Sequence, residues 1–229
     1  MSIKKISVIG LGYVGLPLAI AAANAGHEVV GIDIERQLID EINGARNLKS
    51  EYFELDSRYR KVIENGKLRA SADFSNLRFS EIVIVCLPTP LGGDGNPDLD
   101  ILVSGLESVA DNVLPGTLVI VESTVFPGTM DEIVRPIFRN NQVRLGYSPE
   151  RIDPANSNFR LENTTKIIAA FEANDLDEIE QFYLTFIKEV HKVNSVSTAE
   201  FAKVIENTYR LVNISLVNEL LKIGNALNL

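Results

Sequence analysis

The residues best spaced for chemistry are three glycines in Gly10-Leu11-Gly12-Tyr13-Val14-Gly15 and a carboxylate, Asp33, eighteen residues after the last of them. The chemistry is recognition of a diphosphate and a ribose. A strand that turns at once into a helix needs Gly10 at the tight bend, Gly12 where backbone N–H groups approach an anion, and Gly15 where helix meets sheet. Unpaired N–H groups and the positive end of the helix dipole favour a diphosphate there, with Tyr13 and Val14 beside it. Asp33 ends the next apolar run, where a carboxylate accepts hydrogen bonds from ribose hydroxyls and repels a 2′-phosphate. The spacing predicts NAD rather than NADP, with Arg36 stacked on the adenine.

Three further segments gather prolines and hydroxyls where apolar runs end: Cys86 to Pro90, Glu122 to Thr129, and Tyr147-Ser148-Pro149-Glu150-Arg151. Prolines stiffen such loops and hydroxyls offer donors at the mouth of a cleft. Any one reads equally as a capped loop, but three at one sheet edge point to a site. Lys203, Asn207 and Arg210 follow at spacings of four and three, one stripe of a helix.

The elements that must position these groups are strands alternating with helices. Apolar runs at Ile6–Ile9 and Val29–Ile32 flank the first helix, and charged helical stretches fill roughly 35 to 66. Short β-like runs recur near 68–72, 81–87, 117–122, 143–147, 165–171 and 190–196. The pattern predicts an α/β fold, a doubly wound and mostly parallel sheet of Rossmann type, whose ligands bind beyond the carboxyl ends of the strands. A long helix is expected from Ser197, with Glu200 closing a capping box. It is apolar over so wide an arc that burial is expected. The division is thus residues 1–196 as a dinucleotide-binding domain and 197–229 as the first helix of a second, helical domain.

At 229 residues, 45% hydrophobic and 23% charged, the composition is that of an ordinary globular chain. A net charge of −9 argues against nucleic acid or an anionic membrane as partner. The single cysteine, Cys86, can form no internal disulfide, and no apolar run reaches membrane-spanning length, so a cytoplasmic location is expected. Cys86 lies in an apolar strand and reads as a small buried hydrophobe. The acidic loop Leu91 to Asp100 fails the calcium-loop spacing, having Leu99 and Gly105 where glycine and glutamate are required. It reads as a hairpin-like loop over the cofactor, and no metal site is expected. His27 and His191 read as ordinary surface or strand-end residues.

With these residues in view, the chain resembles the UDP-glucose/GDP-mannose dehydrogenase family, and within it the UDP-N-acetylhexosamine 6-dehydrogenases. The likeness is carried by GLGYVGLPLA from Gly10, CLPTPL from Cys86, ESTVFPGT from Glu122, YSPERIDP from Tyr147 and AEFAKVIENTYRLVNISLVNEL from Ala199. The SPER form tilts it toward N-acetylated sugars. The resemblance implies oxidation of a sugar C6 hydroxyl to a carboxylate, with two NAD reduced and a cysteine-bound intermediate. It implies Lys203 and Asn207 as oxyanion stabilisers, Glu150 as acid/base and Thr124 as the residue placing the hydrolytic water. It also implies Arg151 and Arg210 toward the substrate, and Pro88, Thr89, Ser123 and Thr124 near the cofactor's ribose or nicotinamide.

Two features depart from the family. Its nucleophilic cysteine lies past the long helix in a glycine-rich stretch, so the chain is expected to be an amino-terminal piece, inactive alone, that forms a homodimer through its last helix. The family's acidic proline-glycine segment is not recognisable in 47–60. Two rivals remain on sequence: a hydroxyacid-type dehydrogenase using Lys203 as base, although that class expects glycines before the lysine, and a non-catalytic NAD sensor. Short-chain reductases lack support, since no tyrosine is followed four residues later by lysine.

Overall fold

The computed structural model describes residues 3–45, 57–151 and 161–229. Eight strands form one sheet in the order β3-β2-β1-β4-β5-β6-β7-β8. They are β1 Lys5–Ile9, β2 Glu28–Ile32, β3 Leu68–Ser71, β4 Ile82–Val85, β5 Leu118–Val121, β6 Arg144–Tyr147, β7 Lys166–Ala170 and β8 Val190–Lys192. Pairing is parallel from β3 through β6, antiparallel between β6 and β7, and parallel again between β7 and β8. This is the doubly wound, mostly parallel sheet that the alternation of runs implies.

The central strands read IVIV and LVIV, β-branched and apolar throughout, because both sheet faces are covered. Their side chains alternate between two cores. Ile6, Val8, Ile82, Ile84, Leu118 and Ile120 pack on one face against helices α1 (Gly15–Asn24), α3 (Ser57–Glu64) and α6 (Ala173–Tyr183). Ile9, Val83, Val85, Val119 and Val121 pack on the other against α4 (Asp100–Ala110) and the turn Met130–Val134 that runs into α5 (Arg135–Ile137). Period-two alternation thus selects a core for each residue. Each fully buried Val, Ile or Leu contributes roughly 1.5–3 kcal/mol.

The chain winds outward from β1 to β3, then crosses to β4 on the other side of β1. Loops leaving β1 and β4 therefore diverge, and a crevice opens between them at the carboxyl edge. The glycine turn and the Cys86–Pro90 segment form its two walls.

Several sequence expectations are corrected here. His27, just before β2, is buried, with 3% exposure. Its Nδ1 accepts from the Lys4 N–H at 3.1 Å and its Nε2 lies 3.0 Å from the Thr185 hydroxyl. Burial holds its pKa below the usual histidine range. The long helix, α7 (Val196–Ala226), begins one residue earlier than expected and is capped by Ser195, whose hydroxyl accepts from Thr198 N–H at 3.1 Å. Glu200 does not close a capping box: its carboxylate accepts from the N–H groups of Gly128 at 2.7 Å and Met130 at 2.8 Å. A buried charge goes to the donors that surround it, and at Glu200 those belong to another loop.

Only the start of α7 meets the sheet, through Val196, Ala199, Glu200 and Lys203. Beyond it the apolar arc expected to be buried is open to solvent, with Leu211, Val212, Leu216, Val217, Leu220 and Leu221 all more than half exposed. Two turns of the helix are thus covered and the rest projects. The 47–60 departure lies largely outside the described residues.

Candidate cofactor and active site

The glycine turn is shaped by contacts that leave one opening. Gly10 has φ +85°, and a Cβ there would lie 2.6 Å from the Cys86 carbonyl oxygen. At Gly15 a Cβ would stand 1.9 Å from the Gly10 carbonyl oxygen. At Gly12 it would meet nothing within 4 Å. Two glycines are thus required by the protein, and the third faces open space beside the start of α1. Val14, the N-cap of α1, offers no side-chain hydrogen bond to that helix end. Tyr13 is exposed at the rim.

Asp33 reaches back from the end of β2 to the same turn. One carboxylate oxygen accepts from Leu11 N–H at 2.7 Å and the other from Glu35 N–H at 3.0 Å. These bonds aim the carboxylate and leave lone pairs for a diol. Arg36 opens α2 (Arg36–Asn43) and is exposed, with Glu35 capping that helix through Gln37 N–H at 3.2 Å. A cradle of this kind fits a dinucleotide.

The opposite wall is tied together across strands. Ser123 Oγ accepts from Leu87 N–H at 3.0 Å, and Thr89 Oγ1 donates to the Thr124 carbonyl at 2.7 Å. Pro88 is exposed between them, while Thr124 is half-buried. The Leu91–Asp100 loop closes on itself through an antiparallel bridge between Leu91 and Pro97, the hairpin expected for it.

The third group stands where β6 ends against the start of α7. Glu150 is buried, and its carboxyl is pushed up to about 7, chiefly by loss of water, against the pull of Lys203 and Lys166. Lys203 is 8% exposed, and burial lowers its pKa while Glu150 and Glu206 oppose that. Arg151 points to Glu206, with Nη2 3.0 Å and Nε 3.1 Å from its two carboxylate oxygens, and donates to the Thr165 carbonyl at 2.8 Å. Asn207 and Arg210, on the following turns of α7, are exposed. The fold therefore brings Glu150, Arg151 and Lys203 together, and leaves Asn207 and Arg210 facing outward from the same helix. A carboxyl titrating near neutrality beside a buried ammonium can move a proton and stabilise developing negative charge.

Comparison with known proteins decides the family. Residues 4–187 match the model of the UDP-glucose/GDP-mannose dehydrogenase family, NAD binding domain. The chain belongs to this family. Its cofactor is NAD, and it carries the NAD-binding domain. Among relatives, it is 37% identical to the UDP-N-acetyl-D-mannosamine dehydrogenase of Pyrococcus horikoshii, over 94% of this chain and 52% of that protein. It is also 37% identical to the UDP-N-acetyl-D-glucosamine 6-dehydrogenase of Salmonella typhi, over 98% and 53%. The solved UDP-N-acetyl-mannosamine dehydrogenase Cap5O of Staphylococcus aureus superposes with a TM-score of 0.86 at 35% identity, covering 98% of this chain and 56% of that one. The chain spans about half the length of these relatives. No helix among its described residues is long and apolar enough to cross a membrane.

Several residues of this family member's site escape sequence reasoning. Glu206 is one, although Arg151 needs an anionic partner and Glu206 lies one turn beyond Lys203. Lys166 is another, signalled only as a lone cation in the apolar run of β7. Its Nζ lies 2.7 Å from a Glu122 carboxylate oxygen, and Tyr183 donates to the other oxygen. Cys86, at the end of β4, is packed against this core, and burial raises its thiol well above the usual range.

Proposed function

We propose that this chain is the cofactor-binding part of an NAD-dependent UDP-N-acetylhexosamine 6-dehydrogenase, with residues 1–196 as the dinucleotide domain and 197–229 opening a helical domain. One observation carries the reading: a buried carboxyl near neutrality, Glu150, gathered with Arg151 and Lys203 where β6 ends, at the same carboxyl edge of the sheet as the dinucleotide turn. The identity to mannosamine and glucosamine dehydrogenases supports the substrate class. The exposed arc of α7 supports a homodimer through that helix. The lone cysteine and acidic charge support a cytoplasmic protein without nucleic-acid or membrane partners.

NAD, held by the Gly10–Gly15 turn and Asp33, would supply the hydride acceptor. The hydroxyl proton leaves to Glu150, whose affinity near neutral pH lets it accept and return protons. Lys203 holds the oxygen as negative charge develops, and its burial strengthens that contact, while Asn207, one turn further on and exposed, adds a dipole only once substrate covers it. Thr124 would place the water that supplies the acid's second oxygen, the second hydride going to a second NAD. Arg151 and Arg210 take the anionic substrate, Arg151 while braced by Glu206. Cys86 takes no part, because burial keeps its thiol protonated.

A second reading rests on the lowered pKa of Lys203, which suits a lysine base of the hydroxyacid-dehydrogenase kind. The two separate in one assay. This chain, fused to the carboxy-terminal half of the Pyrococcus horikoshii relative, is expected to reduce NAD with UDP-N-acetylmannosamine or UDP-N-acetylglucosamine. Glu150→Gln is expected to cost about 10²–10⁴ in kcat. A fusion that folds and binds NAD but oxidises neither sugar overturns the proposal. Oxidation of small hydroxyacids instead would establish the second reading.

A further inference from the structure

Beneath Glu150 lies a buried group of charges that the proposed chemistry does not use. Glu122 follows β5, Lys166 opens β7 and Tyr183 closes α6. Glu122 is 1% exposed, Lys166 5% and Tyr183 0%. Lys166 Nζ is held by Glu122 at 2.7 Å and sits 5.0 Å from the centre of the Tyr183 ring, while the Tyr183 hydroxyl bonds the other Glu122 oxygen. A structural ion pair could be placed anywhere in the core, but this one is aimed at the site.

Three observations connect it to Glu150. The antiparallel register of β6 with β7 pairs Gly146 with Ala170 and Tyr147 with Ala169, and its continuation sets Glu150 opposite Lys166. Pro149, Glu150, Arg151, Thr165 and Lys166 line one cleft. The strand end is also pinned, since Ser148 Oγ donates to the Ile167 carbonyl at 2.9 Å and Glu150 N–H donates to the Glu122 carbonyl at 3.4 Å.

We propose that Lys166, clamped by Glu122 and Tyr183, is a positioning residue that stands behind Glu150 and sets how readily its carboxyl takes up and releases a proton. This deepens the dehydrogenase reading and rests on it for the role of Glu150. The charges facing that carboxyl are Lys203 and Glu206 from α7, Lys166 from β7 and Glu122 after β5. Lys166 and Glu122 act on it in opposite senses: the cation favours the carboxylate and the anion favours the acid. The clamp keeps both at constant positions behind the site, so the proton affinity of Glu150 does not depend on a mobile surface charge.

The test is a ¹³C-carboxyl NMR titration of Glu150 in the 229-residue chain, which needs no turnover. Lys166→Met is expected to move the Glu150 midpoint up by about one pH unit, Glu122→Gln to move it down by a similar amount, and Lys166→Arg to leave it near its starting place. General loosening of the fold would move the first two the same way, toward an ordinary carboxyl. Midpoints that stay put, or that shift together, overturn the proposal. If Lys166→Met does not fold, Lys166→Gln takes its place, and only an upward displacement of the Glu150 midpoint, opposite to what loosening gives, upholds the proposal. Opposite displacements with no sugar oxidation by the fusion would uphold the clamp and overturn the dehydrogenase reading.

Discussion

Gly12 and Gly15 lie three residues apart, yet substitution should separate binding from stability. A methyl group at Gly15 meets the Gly10 carbonyl oxygen at 1.9 Å, whereas at Gly12 it meets no protein atom within 4 Å. Gly15→Ala is therefore expected to lower the melting temperature markedly. Gly12→Ala should melt within a degree or two of the parent and lose NAD affinity at least about tenfold in calorimetry, because its methyl takes the space of the diphosphate. Asp33→Ala should weaken NAD by on the order of 1–3 kcal/mol and reduce the preference over NADP. Equal affinity of the unaltered chain for both cofactors would remove Asp33 from its assignment. Glu150 carries a stability signature as well. Burial pushes its carboxyl up to about 7 in the folded chain, above the ordinary value of 4.5, so between these values the folded chain holds a proton that the unfolded chain has lost. Stability present below about 4.5 is thus lost as pH rises through about 7, and Glu150→Gln removes the loss. Denaturant melts should agree for the two proteins near pH 4.5, and favour Gln at pH 8.5 by on the order of 1–3 kcal/mol.

Among elements, the joint between α7 and the loop after β5 has the clearest consequence. Glu200 is fully buried and bonds the Gly128 and Met130 N–H groups, so one turn of α7 caps the segment that follows Ser123 and Thr124. Lys203 lies on the next turn. The carboxylate thereby fixes Lys203 relative to the loop of Thr124, two residues proposed above to act on one substrate. Glu200→Ala orphans one buried and one part-buried donor and should cost about 1–3 kcal/mol in urea denaturation. It should also broaden the amide resonances of residues 123–130, and unchanged spectra there would show that the capping is incidental. Capping of this kind was not legible from the Ser197 to Glu200 spacing, which matches a local capping box. The box and the distant loop compete for the same carboxylate, and the loop presents two donors in place of one.

For the molecule as a whole, the outer turns of α7 hold apolar side chains in water. Leu216, Leu220 and Leu221 are 54%, 56% and 61% exposed, within an arc that extends to Leu227. An apolar surface of that extent seldom stays uncovered, since each side chain fully buried contributes roughly 1.5–3 kcal/mol. Self-association through α7 is expected, in the simplest case as a two-fold dimer. Sedimentation should show a dimer that Leu216→Glu with Leu220→Glu converts to monomer, while NAD affinity is unchanged. A monomer at high concentration would contradict this. The same chain by itself should form no NADH with a UDP-sugar, and turnover surviving Cys86→Ser would point to the lysine-base chemistry.

The strand runs, the glycine turn with Asp33, and the residue types at three strand ends were all readable from order alone. They are local: period-two apolar patterning reports a sheet buried on both faces, and a turn's backbone demand appears directly as glycine. The partnerships that tune the site were decided by the tertiary structure. Leu11 meets Asp33, Glu122 meets Lys166, Arg151 meets Glu206 and Gly128 meets Glu200 across separations of 22, 44, 55 and 72 residues. Hydrophobic periodicity states which side of an element is buried, but a buried charge takes whichever partner the packing of other elements delivers. That is why Glu150 could be named from its segment, whereas its elevated proton affinity follows from the burial that neighbouring elements impose, against the pull of Lys203 and Lys166.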